Sequence, residues 1–285
     1  MKKNIYIHVG FGKTGTTTIQ NFFSRERQAL IKEGILYPRA GQLNSGHHLL
    51  ALLDYEAIPN KAAEEYNKVL KEIHASSCDK IVISSENFCF MKNQYVAQIH
   101  EIFNEFETTI IFYYRPQPEL IESTYMEWIK TNKKYTKTID QFFKIHVNSF
   151  DFNIRIAPWS NSFGDTRIVV RPYKFNADER WDSQIDFLQT IQASPNILSH
   201  ATPKESNRFN PSLSPAFCKL IFLVDDLAPD PQIRQKMISQ MVELSTLMSN
   251  DKTPTLLSPK LKDKIEKYYK KSNKLLFKKY GGLDV

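Results

Sequence analysis

Short apolar runs of period two alternate along this chain with longer apolar stripes of helical period. Asn4-Ile-Tyr-Ile-His-Val9 is rich in β-formers and reads as a strand. Ile19-Gln-Asn-Phe-Phe23 opens an amphipathic stripe that predicts a helix from Thr16 to about Lys32, stopped by Gly34. Ala62 to Ala75 predicts a second helix, Lys80 to Ser84 a short buried strand, and Val96 to Phe106 a third helix. Thr108 to Arg115 is a β-rich run ending in Arg, broken by Pro116-Gln-Pro118. Glu119 to Lys130 follows as helix, with Leu120, Ile121, Tyr125 and Trp128 near helical spacing. Arg167 to Arg171 predicts a strand and Arg180 to Ile191 a helix. Helical stretches 215–225, 231–248 and 259–279 complete the chain. Strands alternating with helices predict an α/β fold: a central, mostly parallel sheet flanked by helices, with a helical C-terminal part. Ligands in such sheets sit outside the carboxyl ends of the strands. Lys13, Glu86 and Arg115 each follow a strand end, so all three should line one edge.

A chain of 285 residues can bury a full core, and no Pro/Gly/Ser linker divides it. A single domain over residues 1–285 is the expectation, with a basic C-terminal helix (251–285) packed on it. No run approaches the ~18 apolar residues of a membrane helix. Ile5 to Val9 is too short, and interrupted by His8, for a secretory segment. Cys78, Cys89 and Cys218 are few and far apart, which fits free thiols in a reducing, cytoplasmic compartment and shows no metal-ligand spacing.

The candidate chemistry concentrates in His8-Val-Gly-Phe-Gly-Lys-Thr-Gly-Thr-Thr-Thr18. A glycine-rich turn between a strand and a helix N-terminus presents backbone N–H groups to an anion. Lys13 adds a full positive charge, and Thr14, Thr16, Thr17 and Thr18 add hydroxyl donors. The turn reads as a phosphate site. A nucleotide P-loop places Lys after its last Gly, whereas Lys13 precedes Gly15 in a loop two residues tighter.

That loop resembles the 5′-phosphosulfate loop of sulfotransferases that use 3′-phosphoadenosine 5′-phosphosulfate (PAPS), roughly P-K-[ST]-G-[ST]-[ST], with Gly12 in place of the common Pro. In that family an Arg at a strand end and a Ser eight residues on hold the 3′-phosphate, and Arg115 and Ser123 match the pattern. An Arg fork binds phosphate oxygens in pairs, which Lys cannot. The resemblance is specific over 8–23 and 108–125, suggestive over 80–88 and 167–188, and faint elsewhere. It implies a P-loop-like α/β fold and transfer of a sulfuryl group from PAPS to an acceptor hydroxyl or amine, releasing 3′,5′-ADP. It further implies that Gly12, Lys13, Thr14, Gly15, Thr16 and Thr17 hold the 5′ end of the nucleotide, with no metal required. Ser84-Ser85-Glu86 is similar to a segment of bacterial relatives, and a Glu serves as base in glycan-modifying members. Glu86 is thus the candidate base, against the simpler reading of a helix cap. A glycan is the implied acceptor, with a lipid, phenol or amine as the other options.

His47 and His48 form a pair that reads as base, acceptor contact or structural cap, and His48 is the candidate for the site, leaving the choice of base between it and Glu86 open. His8, His74, His100 and His146 read as packing or surface residues. Asn207 to Pro215 is similar to a family segment near the nucleotide, which leaves Arg208 open as a phosphate contact and reads Ser214 as a helix cap. Residues 252–285 carry ten lysines against Asp263, Glu266 and Asp284, the whole of the net +7. A packed helix with a solvated Lys face is the plain reading; attraction of an anionic glycan or a membrane surface is the sharper one. No nucleic-acid motif accompanies the charge. Two rival functions remain: a small-molecule kinase using ATP, and a non-catalytic binder of nucleotide or anionic polymer.

Overall fold

The β-formers of the first segment pair as the period-two pattern requires. In the computed structural model, β1 (Asn4–Val9) lies at the centre of a five-stranded sheet with β2 (Ile35–Leu36), β3 (Lys80–Ser85), β4 (Glu107–Tyr114) and β5 (Ile168–Pro172). The structure describes residues 2–54, 59–131, 135, 137–174, 182–201, 215–227, 230–247 and 255–281. The strand order is β2-β3-β1-β4-β5, and every pairing is parallel. This is the expected α/β architecture, with the glycine turn in the P-loop position after β1. Ile5, Ile7, Ile81, Ile83, Ile110 and Phe112 are buried on one face of the sheet and His8, Val82, Ile111 and Tyr113 on the other, so the sheet is covered on both faces.

The helices are α1 (Thr16–Arg25), α2 (Arg27–Lys32), α3 (Pro59–Ala75), α4 (Asn93–Ile102), α5 (Gln117–Thr131), α6 (Ile139–His146), α7 (Phe152–Phe163), α8 (Ser183–Thr190), α9 (Pro195–His200), α10 (Pro215–Leu227), α11 (Pro231–Leu247) and α12 (Pro259–Tyr280). The helix expected over 16–32 is broken at Glu26, whose φ of −88° and ψ of 15° leave the helical region. Gly34 ends the pair with φ +74°. β2, α6, α7 and α9 are additions to the expected elements.

The chain divides into two compact units. The first comprises Met1–Arg115, Phe152–Glu205 and Asn273–Val285, and it contains the whole sheet. Its core joins Ile19, Phe22 and Phe23 of α1 to Val82, Ile111, Tyr113, Phe187 and Leu188. Each such side chain contributes roughly 1.5–3 kcal/mol over an exposed one. Arg171 forms a two-pronged ion pair with Asp186, which also accepts the Tyr113 hydroxyl at 2.6 Å. Arg171 therefore serves the fold.

The second unit comprises Pro116–Asp151 and Ser206–Ser272. It is helical among its described residues. Arg234 pairs with buried Asp225 at 2.6 Å and donates to the carbonyls of Ile129 and Lys130, so this buried charge is fully engaged. In α12, Lys264 pairs with Asp140, and the Tyr269 hydroxyl donates to the Val147 carbonyl. Leu261, Ile265 and Tyr269 are buried while Tyr268 is half exposed, the amphipathic helix of the plain reading. Among the described residues no helix is long and apolar enough to cross a membrane.

Candidate functional site

The parallel pairing puts the carboxyl ends of β1, β3, β4 and β5 on one edge. The chain passes from β1 to β2 and β3 on one side, then crosses to β4 on the other. The topological switch therefore lies between β1 and β4, where open α/β sheets bind ligands. Lys13 follows β1 there, and Arg115 follows β4.

The turn is tight and partly left-handed. Lys13 has φ +69° and Gly15 φ +79°. A β-carbon on Gly10 would come within 2.2 Å of Thr16 Cγ2, and one on Gly15 within 2.9 Å of the Tyr173 ring and 3.0 Å of Ser183 Oγ. Only glycine fits either position. The Thr14 hydroxyl, fully buried, donates to the Phe11 carbonyl at 2.6 Å and ties the loop to itself. The Thr14 side chain thus braces the turn. Gly12 has open space where a side chain would stand. Among the described residues the main-chain N–H groups of Gly12, Gly15, Thr16 and Thr17 donate to no backbone carbonyl. Those of Gly15, Thr16 and Thr17 are orphan donors at the N-terminus of α1, and with Gly12 they form a donor set that fits an anionic phosphate. Lys13 keeps a left-handed backbone that costs a non-glycine residue about a kilocalorie or more. Arg115 Nη1 donates to the Lys13 carbonyl at 3.3 Å, and its guanidinium lies 5.7 Å from the Tyr173 ring centre. The strand end and the loop are thereby linked.

β3 runs beside β1 with Ser84 opposite His8 and Ser85 opposite Val9. Glu86 opens the 3-10 turn Glu86–Phe90, and its side chain is about a third exposed. The cap of that turn is Ser85, whose hydroxyl accepts from the Asn87 N–H at 3.2 Å. Glu86 is free of the capping role its position suggested. Gln20 Nε2 donates to Glu86 Oε2 at 3.0 Å and lies 3.3 Å from Ser84 Oγ. His48 Nδ1 stands 2.9 Å from Ser85 Oγ and 3.8 Å from Glu86 Oε2.

The two histidines of the pair separate. His47 is fully buried: its Nδ1 accepts from the Ser84 N–H at 3.1 Å, so its Nε2–H donates to the Pro38 carbonyl at 3.0 Å. This is a neutral, structural imidazole, whereas His48 faces Glu86. His8 is equally buried, with Nδ1 at 2.9 Å from Ser84 Oγ. Burial holds the pKa of both His8 and His47 down at about 3. In the unfolded chain each binds a proton below pH ~6.5. The stability they contribute is present above that pH and is lost as pH falls toward 3. The expected slope is up to about 2.7 kcal/mol per pH unit for the two together. Glu26, Glu33, Glu65 and Glu107, held low by their partners, stay ionised through most of this window. Urea midpoints at about pH 7 and about pH 5 test this; equal midpoints with equal slopes would sink it.

Ser123 is buried on α5 in the second unit. Arg208 and Ser214 lie outside the described residues. Gln20 and Tyr173 are site neighbours to which sequence reasoning gave no site role. Gln20 carried a signal: it is a polar residue on the buried stripe Thr16, Ile19, Gln20, Phe23. Among the described residues no group of three or more His, Cys, Asp or Glu is placed to hold a metal ion.

No family model matches this chain. It is 23% identical over 214 residues to an uncharacterized protein of Archaeoglobus fulgidus, a match covering 71% of this chain and 54% of that protein. The chain thus spans about half the length of the curated relative it matches. Among solved structures it is similar to a sulfotransferase from Alicyclobacillus acidocaldarius, at 13% identity and a TM-score of 0.46, over 84% of this chain and 96% of that one. A likeness of that degree carries no argument, and the α/β fold rests on the sheet topology itself.

Proposed function

We propose that this chain is a sulfotransferase that moves a sulfuryl group from PAPS to a hydroxyl or amine of an acceptor, a glycan by preference, and releases 3′,5′-ADP. The observation that carries the reading is that the Arg115 guanidinium donates to the main-chain carbonyl of Lys13 at the switch point. Lys13 sits in an anion-binding turn and Arg115 at the neighbouring strand end, joined by the Arg115–Lys13 hydrogen bond. A nucleotide with phosphates at both its 5′ and 3′ positions suits two such centres.

In this reading PAPS supplies the sulfuryl group as the donor substrate. Backbone N–H groups from Gly12 to Thr17 hold the 5′ end, and Lys13 neutralises charge as it develops on the leaving oxygen. Arg115 holds the 3′-phosphate, with Ser123 assigned beside it on the eight-residue spacing alone. Glu86 takes the proton from the attacking acceptor, and His48 contacts that acceptor. Rate enhancement then comes from positioning and preorganised charge. We place the protein in a reducing, cytoplasmic setting, supported by the free, buried thiols of Cys78, Cys89 and Cys218.

Retention on immobilised 3′,5′-ADP, competed by free 3′,5′-ADP and not by ATP with Mg²⁺, is the direct test; the opposite preference selects the kinase. Arg115→Ala is expected to weaken 3′,5′-ADP binding by about 2–4 kcal/mol, the scale for leaving a charged partner unpaired. Binding of 5′-AMP, which lacks the 3′-phosphate, should barely change. Calorimetric titration with both ligands checks this, and equal losses would contradict the assignment.

A further inference from the structure

We infer that Gln20 is a positioning residue that holds the Glu86 carboxylate in its working orientation and ties it to the phosphate-loop helix. The inference rests on the sulfotransferase reading and adds a residue to its machinery. Its basis is a chain of hydrogen bonds anchored on the Gln20 amide, whose donor role toward the carboxylate is fixed.

A carboxylate only accepts, so Gln20 Nε2 is the donor to Glu86 Oε2 at 3.0 Å. The same amide nitrogen has a second hydrogen, and it points to Ser84 Oγ at 3.3 Å. Ser84 Oγ therefore accepts from Gln20 and has its own hydrogen to give. Its other neighbour is His8 Nδ1 at 2.9 Å, and the imidazole tautomer sets which of the two donates. His8 is fully buried and neutral, and its Nε2 has no hydrogen-bond partner among the described residues. The chain runs Gln20 to Glu86 at one end and Gln20 to Ser84 to His8 at the other, across α1, β3 and β1.

Four features separate this from a merely satisfied buried amide. Gln20 is only 3% exposed on an otherwise apolar helix face, where Leu or Met would pack without the cost of burying an amide. Both of its donors go to the end of β3, one on each side of Ser85. One carboxylate oxygen is held while the described residues give Glu86 Oε1 no hydrogen-bond partner, on a side chain about a third exposed. A general base needs that division: one oxygen fixed, one open to the proton. The space is also reserved, since a β-carbon on Gly46 would come within 2.9 Å of Gln20 Cδ and 2.6 Å of His48 Nε2. Because α1 begins at the phosphate loop, the amide sets the distance between that loop and the base.

The test is a double-mutant cycle read with water as the acceptor. In that reaction the bond from sulfur to the bridging phosphate oxygen breaks, a bond from sulfur to the water oxygen forms, the water proton goes to Glu86, and 3′,5′-ADP and sulfate are released. Gln20→Met keeps the length and helix propensity of the side chain and removes both donors. The expected result is a ~10-fold or larger fall in turnover, with 3′,5′-ADP affinity within about twofold and a melting temperature equal or higher. In a Glu86→Gln background the Gln20→Met change should cost nothing further, because the carboxylate it positions is gone. Equal losses in both backgrounds would make Gln20 a structural residue and overturn the inference. So would full turnover in Gln20→Met while Glu86→Gln is impaired. If Glu86→Gln itself keeps the rate, or the wild type fails to bind 3′,5′-ADP, the functional reading falls and this inference falls with it. Should Gln20→Met fold poorly, Gln20→Glu preserves shape and replaces the donor by a second carboxylate; it must lose at least as much turnover.

Discussion

Glu86→Gln is expected to lower kcat by ~10²–10⁴-fold, the range for removing a general base. Folding and 3′,5′-ADP affinity should remain normal. Shape and hydrogen-bonding capacity are kept, since a glutamine oxygen can still accept from Gln20 where Glu86 Oε2 now does at 3.0 Å. What disappears is the basicity. Ser85 supplies the cap of the 3-10 turn, so the substitution does not unpick that turn. Single-turnover release of 3′,5′-ADP from PAPS, alongside calorimetric binding, separates the chemical step from affinity. His48→Ala should cost less and act mainly through the acceptor KM, because His48 stands 3.8 Å from Glu86 Oε2 and bonds to Ser85. If His48→Ala loses the rate and Glu86→Gln keeps it, the two roles must be exchanged.

Lys13→Ala is the second large effect, a fall in turnover of ~10²-fold or more, the scale for deleting one preorganised charge at a leaving group. Binding of 3′,5′-ADP should fall less, because the backbone N–H groups of the turn remain. Alanine retains the positive φ that Lys13 occupies, so the variant carries similar backbone strain and the comparison isolates the ammonium. Unchanged turnover would remove the loop from the mechanism. Lys13 and Glu86 differ in what they test: in the proposed reaction the first acts on the departing oxygen and the second on the attacking one. Loss in both with 3′,5′-ADP binding preserved would support in-line transfer by this crevice.

Much of the site could be read directly from the chain because its signals are local. The turn after β1 needs glycine at positions 10 and 15, and both are visible as a motif before any contact is known. Arg115 and Glu86 stand immediately past strand ends, and a parallel sheet brings strand ends to one edge. The strong periodic segments came out as elements of the expected type, while their ends moved by a few residues. The capping box Thr138-x-x-Gln141 is another local signal. The Gln141 N–H donates to the Thr138 hydroxyl at 3.3 Å, and the Gln141 side chain accepts from the Thr138 N–H at 2.9 Å. It marks α6, which the apolar pattern alone did not reveal.

What only the tertiary structure decided depends on which strand lies beside which. An apolar run states that a strand is buried and leaves its neighbour open. The register that puts Ser84 opposite His8 pairs residues 76 positions apart, so it is a long-range choice. That register separates His47 from His48, adjacent in sequence and opposite in role: one locked between Ser84 and Pro38, the other beside Glu86. It also turns Gln20 from an anomaly on an apolar helix face into the donor that reaches Glu86. The sequence determined the glycine turn after β1 and the edge on which its neighbours stand, because those follow from residue type and strand order. The orientation of each polar side chain at that edge required the fold, because a buried hydrogen bond is set by groups tens of residues apart that meet only when the sheet closes.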